Sequence, residues 1–304
     1  MAFFKRIFFF GLVNIAVMVT ITMIVSLLGI DTRYLTPNGL NIQALIVFCL
    51  LWGMAGSFIS LAISRWMAKM TMGVQVIQPE NATGSQRLLM EKVHQLARKA
   101  GISKMPEVGI YDSPEVNAFA TGPTRNRSLV AVSTGLLHRM DVDEVEGVLA
   151  HEVAHIANGD MVTMTLIQGV VNAFVMFLAR VISFAIFSAR SGDDRESSGS
   201  GNSLAQMLVT MALEIVIGLF GTMVVAAFSR WREYRADAGA AKLGGKAKMI
   251  AALQRLQNYK ELADVQGGGS LAAFKISSKK GGFLSLFSTH PDLEDRINRL
   301  KMAN

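Results

Sequence analysis

Cysteine is nearly missing from this chain: Cys49 is the only one in 304 residues. An intrachain disulfide is therefore excluded, and so is a structural zinc site closed by a set of thiolates. The scarcity fits a reducing compartment, and Cys49, set within an apolar run, reads as a small packed or lipid-facing residue. Charge is scarce too. Charged residues make up 17% of the chain against 51% hydrophobic, and the mean hydropathy is +0.36. That balance is too apolar for an ordinary soluble enzyme and points to membrane segments. The net charge of +7 raises nucleic acid as a partner. Its basic residues, however, cluster beside hydrophobic runs, as membrane flanks do, so no nucleic-acid partner is expected.

Four long apolar runs are present. Ile7–Ile30 follows Lys5 and Arg6; at about 24 residues it is long enough to cross the bilayer and too long for the core of a cleaved signal peptide. A turn-rich stretch with Pro37-Asn38-Gly39 leads to Ile42–Ile63, which is followed by Arg65, Trp66 and Lys69. The third run is Met161–Phe187. A polar, Gly/Ser-rich loop over 188–203 separates it from the fourth, Leu204–Phe228, which exits into Arg230, Arg232 and Arg235. Positive flanks place the soluble parts and both termini on the cytoplasmic side. A shallow hairpin is the alternative for runs three and four; their length, above about 20 residues each, favours crossing. Arg180 and Glu214 interrupt these two runs, and a pair between them is expected. The resulting segments are a membrane hairpin over 1–66, a soluble part over 67–160, a second membrane hairpin over 161–228 and a soluble part over 229–304.

Within 67–160, Ser85–Ala100 has an apolar stripe of Leu89, Val93, Leu96 and Ala97 and ends at Gly101, which predicts a helix. Three β-rich segments follow, Glu107–Tyr111, Val116–Thr121 and Ser128–Ser133, divided by Asp112-Ser113-Pro114 and Gly122-Pro123. The stretch Asp141–Asp160 then reads as a helix. Asp141 and Glu144 form a capping-box pattern, Val145, Val148, Leu149 and Ile156 an apolar stripe, and Asn158-Gly159 a stop.

That helix carries His151, Glu152 and His155 in the order H-E-x-x-H. Residues four apart share a helix face, so both imidazoles reach one metal ion, and Glu152 reaches a water beside it without ligating. With five histidines in the whole chain, a chance match is on the order of a few in a thousand. Imidazole and carboxylate ligands with an open position suit zinc, one ion per chain. A third protein ligand is needed, and Glu233 in SRWREYRAD supplies a carboxylate. Asp237, on the same face, is placed to accept a hydrogen bond from a ligand imidazole. Taken alone, E-x-x-x-D would read as solvated helix charge.

These motifs together resemble the HtpX family of bacterial heat-shock-linked membrane zinc endopeptidases, relatives of the CAAX prenyl endopeptidase Ste24. The matching pieces are the two N-terminal spans, VNAFATG at 116–122, LVAVSTGLL at 129–137, HEVAHIANGDMVTMTL at 151–166, SRWREYRAD at 229–237 and THP at 289–291. The resemblance implies His151, His155 and Glu233 as zinc ligands and Glu152 as catalytic acid/base. It implies an α+β integral membrane protein, with four transmembrane helices and a zincin-like (gluzincin), mostly helical catalytic domain holding a small β-sheet. It further implies an inner-membrane enzyme that degrades misfolded or damaged membrane proteins on the cytoplasmic side, itself among the substrates, with other membrane quality-control proteases as further partners. The strand near Ser128–Ser133 is expected to pair with an extended substrate. Asn117 is a candidate for gripping substrate or ordering the site, or a simple turn residue. His290 and Tyr234 are oxyanion candidates, with His290-Pro291 alternatively a helix entrance having Pro at its first position. Arg296 either pairs with Asp237 or faces water. His94 and His138 are expected at the surface without a role. Lys246–Leu262 reads as a helix packed on the site region. Residues 267–282 are either a mobile flap or a disordered connector. Two other readings use the same residues: a non-catalytic membrane adaptor or chaperone that retains a zinc site, and a transporter built on Arg180 and Glu214. The lack of a fourth protein ligand weighs against the first, and the extramembrane location of the ligand candidates against the second.

Overall fold

The computed structural model describes residues 39–190, 200–265 and 283–303, with isolated positions 19, 22, 23, 26, 27, 35 and 36. Along the chain a two-residue hairpin, β1 (Leu35–Thr36) and β2 (Gly39–Leu40), leads into helix α1 (Ile42–Met72). There follow β3 (Gln75–Val76), α2 (Gly84–Lys99), β4 (Glu107–Tyr111), β5 (Ala118–Thr124), β6 (Arg127–Ser133), α3 (Thr134–Arg139) and α4 (Val142–Asn158). Two long helices come next, α5 (Asp160–Arg190) and α6 (Ser200–Ala240). A π-helical turn at Ala241–Gly245 joins α6 to α7 (Lys246–Val265), and α8 (Leu293–Met302) closes the described chain. The chain divides into two compact units, residues 1–60 with 165–225 and residues 61–164 with 226–304.

The first unit is built from apolar helix. Among the described residues three helices are long and apolar enough to cross a membrane: α1, α5 and the N-terminal part of α6. Leu45, Cys49 and Ala173 form the buried contact between α1 and α5. The expected pair between Arg180 and Glu214 is present and joins α5 to α6, as does a 2.8 Å hydrogen bond from Thr210 to Ser183. Such bonds are what polar groups among apolar helices require, because lipid offers no alternative partner. The run at Ile7–Ile30 lies outside the described residues apart from isolated positions, as do 191–199 and 266–282, where the polar loop and the flap were expected.

The second unit holds a four-stranded mixed sheet in the order β3-β4-β6-β5, in which β4 and β6 run parallel and the other pairs antiparallel. Alternation along β6 separates its two faces. Val130 and Val132 enter the main core with α2, α4, α7 and α8, while Leu129 and Ala131 meet Val74 and Tyr111 on the other side. Two expectations are corrected here. Gly122-Pro123 is not a turn: it lies inside β5 as a register shift between Thr121 and Thr124, with Gly122 at φ 144. And β6, expected to receive substrate, is bonded on both sides by β4 and β5, so its main chain has no free edge; the edge strands are the two-residue β3 and the longer β5.

Helix α4 sits in the middle of this core, where Leu149, Val153 and Ile156 are at most 1% exposed; burying such side chains contributes about 1.5–3 kcal/mol each. One buried carboxylate ties it to two neighbours. Glu146 accepts hydrogen bonds from Lys92 of α2 at 2.6 Å and Lys248 of α7 at 2.9 Å. Burial alone would raise the Glu146 pKa, but the two ammonium groups win and hold it below the usual carboxylate range. Gly147, one residue on, lets α7 approach so closely that an added Cβ would lie 2.4 Å from the Lys248 carbonyl oxygen.

Two outcomes follow. Gly147→Ala forces backbone apart and should destabilise the second unit by about 1–3 kcal/mol, read by thermal unfolding of the detergent-solubilised chain. The Glu146 contribution, from a depressed carboxyl pKa, is complete above the unfolded carboxyl value and vanishes as pH falls through the lower folded value. The stability gap between wild type and Glu146→Gln should therefore be constant near neutral pH and close on acidification below about pH 5, measured as melting temperature against pH.

Candidate metal centre

The local sequence fixes α4 at both ends. Asp141 accepts a hydrogen bond from the Glu144 amide at 2.8 Å, and the Glu144 carboxylate accepts one from the Asp141 amide at 2.9 Å. At the other end Gly159 takes the left-handed conformation, φ 71, and turns the chain directly into α5 at Asp160. In between, His151 and His155 lie one turn apart on the buried face, each 8% exposed. Their rings meet edge to face at 4.6 Å.

Each imidazole is held by a carboxylate at Nδ1. The His151 Nδ1–H donates to Asp237 Oδ1 at 3.0 Å, and the His155 Nδ1–H donates to Asp160 Oδ2 at 2.6 Å. This fixes the tautomer that leaves both Nε2 lone pairs facing inward, where they stand 3.1 Å apart. Glu233 completes the group from α6, with Oε2 3.4 Å from His151 Nε2 and Oε1 3.3 Å from His155 Nε2. Tetrahedral ligands at zinc–nitrogen and zinc–oxygen distances are separated by about 3.3 Å, so the spacing and the donor set both fit a zinc ion held by these three residues. Close approach of the helices makes this possible: an added Cβ at Gly239 would lie 2.9 Å from the Ala154 Cβ.

The electrostatics follow from burial. Glu233 is 1% exposed, and burial alone would raise its carboxyl. The imidazoles of His151, His155 and His290 around it outweigh that and hold it well below the usual carboxylate range. For His155, burial lowers the pKa, but the bonds to Asp160 and Glu233 prevail and bring it to about 9. A proton and a metal cation thus compete for the same imidazole. Glu152 is half-buried, and among the described residues no hydrogen bond or ion pair engages its carboxylate. It remains available beside His151.

The other candidates separate. Arg296, at 6% exposure, pairs through Nε and Nη2 with both oxygens of Asp237 at 2.8 and 2.6 Å, and its Nη1 lies 3.6 Å from Glu233; it does not face water. His290 is exposed and its Nδ1 lies 3.0 Å from Glu233 Oε2. The entrance of α8 is capped by Asp292, which accepts from the Glu294 amide, so Pro291 stands before the cap rather than at the first helical position. Tyr234 lies under the Arg299 guanidinium, 3.9 Å from the ring centroid. With Glu233 turned into the cluster, its helical neighbour points about 100° away, and no hydrogen bond joins the Tyr234 hydroxyl to the three ligand candidates. Asn117 is exposed just before β5, its amide donating to Ser133 Oγ at 3.1 Å and its carbonyl accepting from the Ser133 amide at 2.9 Å. His94 is half-buried, with Nε2 3.1 Å from the Pro106 carbonyl, and His138 is exposed. Asp160 is the residue that sequence reasoning missed. Its signal was an acid immediately after the Asn158-Gly159 stop, where a left-handed cap folds the chain back over the last helical turn.

Removing that support gives a test. Asp160→Asn should keep the fold and weaken zinc binding about 10–100-fold, measured by chelator competition on the purified chain.

Comparison with known proteins places this geometry in context. The model of peptidase family M48 matches residues 84–304. Protease HtpX homolog of Bacillus licheniformis is 53% identical over 303 residues, covering 98% of this chain and 99% of its own. Protease HtpX of Shewanella sp. strain MR-4 is 52% identical over 298 residues, with 98% and 99% covered. Among solved structures, that of S. mikatae Ste24p superposes with a TM-score of 0.64 over 98% of this chain at 17% identity; the present chain spans 64% of that protein, and the likeness is one of fold.

Proposed function

The chain belongs to peptidase family M48, a membrane metalloprotease, and from that premise we propose that it is a zinc-dependent endopeptidase acting on misfolded or damaged membrane proteins at the cytoplasmic face of a bacterial inner membrane. The observation that carries the reading is the inward convergence of His151 Nε2, His155 Nε2 and Glu233, with both tautomers fixed by carboxylates and Glu152 left unengaged alongside.

In this reading His151, His155 and Glu233 hold the metal. A zinc ion there supplies Lewis acidity and makes water acidic enough to lose a proton near neutral pH. Glu152 takes the proton from the attacking water and delivers it to the leaving amine as the peptide bond breaks. His290 is the better oxyanion donor of the two weighed from sequence, since its Nδ1 is turned to Glu233 while its side chain is 64% exposed. The scissile segment lies extended against the free edge of β5, whose Ala118 and Ala120 pack on the core that contains α4. Cleavage of other copies of the chain belongs to the same proposal, because its own membrane segments present the same chemistry as a damaged substrate.

The competing reading, an adaptor or chaperone that keeps the metal for structure, makes a different forecast for one variant. Purified Glu152→Gln should retain one zinc per chain and lose peptide cleavage by about 10²–10⁴-fold. Full retention of cleavage by that variant overturns the assignment of Glu152, and absence of cleavage in zinc-loaded wild type favours the adaptor.

A further inference from the structure

The second unit carries a groove to which the peptidase reading gives no role. It lies among α6, the π-helical turn, α7 and α8 and encloses about 570 Å³, within the range of small-molecule sites. Its lining combines apolar side chains, Ala238, Ala241 and the buried Leu300, with the exposed cations Lys242, Lys246 and Arg299. These three come from three elements: the π-helical turn, the start of α7 and α8.

Their charge is not balanced locally. Among the described residues neither Lys242 nor Arg299 forms an ion pair, and Arg299 rests on the face of Tyr234 with its edge N–H groups unspent. Lys246 donates to the carbonyl oxygens of Lys301 and Ala303, which leaves one of its three donors. The acid in the wall, Asp237, is already bonded to Arg296 and His151. Cations lining one concavity repel each other, and an anion between them would both remove the repulsion and collect their unspent donors. A planar carboxylate, with two oxygens, is served by a single arginine fork. Donors arriving from three elements match a tetrahedral group with three terminal oxygens instead.

We propose that this groove binds a phosphate group, with the apolar part of its lining receiving the organic body of a phosphate ester. The same chemistry is offered by a phospholipid headgroup and by free phosphate or a small phosphate monoester. The proposal stands whether or not the metal centre cleaves peptides.

The test uses the full chain in nonionic detergent and calorimetric titration with three probes: inorganic phosphate, glycerol 3-phosphate and short-chain phosphatidylglycerol below its micellar concentration. Wild type should bind at least one probe saturably. Lys242→Gln with Arg299→Gln should weaken that binding about tenfold or more, the loss expected for charge-assisted contacts, with zinc content and melting temperature unchanged. The single exposed-site variant Lys242→Glu should weaken it as well, and serves if the double variant folds poorly. Binding of the lipid but not of phosphate or its glycerol ester identifies a headgroup site, and the reverse a site for free phosphates. No saturable binding of any probe, or equal binding by wild type and both variants, overturns the proposal.

Discussion

A carboxylate as buried as Glu233 survives only because charge is neutralised around it from several directions. His151, His155, His290, Arg232 and Arg296 all stand within 3.6 Å of its oxygens. Three of those partners are themselves held by further acids, His151 and Arg296 by Asp237 and His155 by Asp160. The network draws on α4, the first residue of α5, the end of α6 and the start of α8. Each group is tolerable in the interior because of its neighbours, and removing one leaves an uncompensated charge behind. The cluster is therefore a structural unit as well as a candidate reaction centre.

Bringing those elements together is a matter of backbone clearance. Gly147 admits α7 against α4, and Gly239 admits α6 against Ala154, in both cases at distances that a single added carbon would violate. Glu146, three helices' shared carboxylate, fixes the same packing from the side away from the ligands. The metal-ligand geometry thus rests on positions that carry no reactive group at all. That is why the stability of the second unit and the geometry of the cluster are not separable properties here.

Much of the site was legible in the sequence because helical spacing is a local rule. His151 with His155, and Glu233 with Asp237, are each four apart, and each pair does turn one face toward the cluster. What escaped reading depends on non-local or conformational facts. Asp160 reaches His155 only because Gly159 reverses the chain, and a stop signal says nothing of where the next side chain lands. Strand order is likewise invisible: Ser128–Ser133 reads as a good strand whether central or peripheral, and its central place follows from a parallel pairing with β4. The two-residue β3 is too short to leave a pattern. The fall in hydropathy after Phe228 suggests a new element, yet α6 continues without interruption to Ala240, since helix geometry ignores the change from apolar to charged side chains.

The irregularity in β5 has its own meaning. The register shifts between Thr121 and Thr124, and Pro123 has no N–H to offer, so a chain laid along the free edge can be matched in step only over Ala118–Thr121. At strand rise this is a ruler of about 13 Å. A template that short reads main chain rather than side chains, and it asks one thing of whatever lies on it: that four consecutive residues give up their own helical or sheet bonding. On the proposed reading, selection would rest on how readily a polypeptide comes undone, and a well-folded neighbour would be passed over for want of a loose stretch.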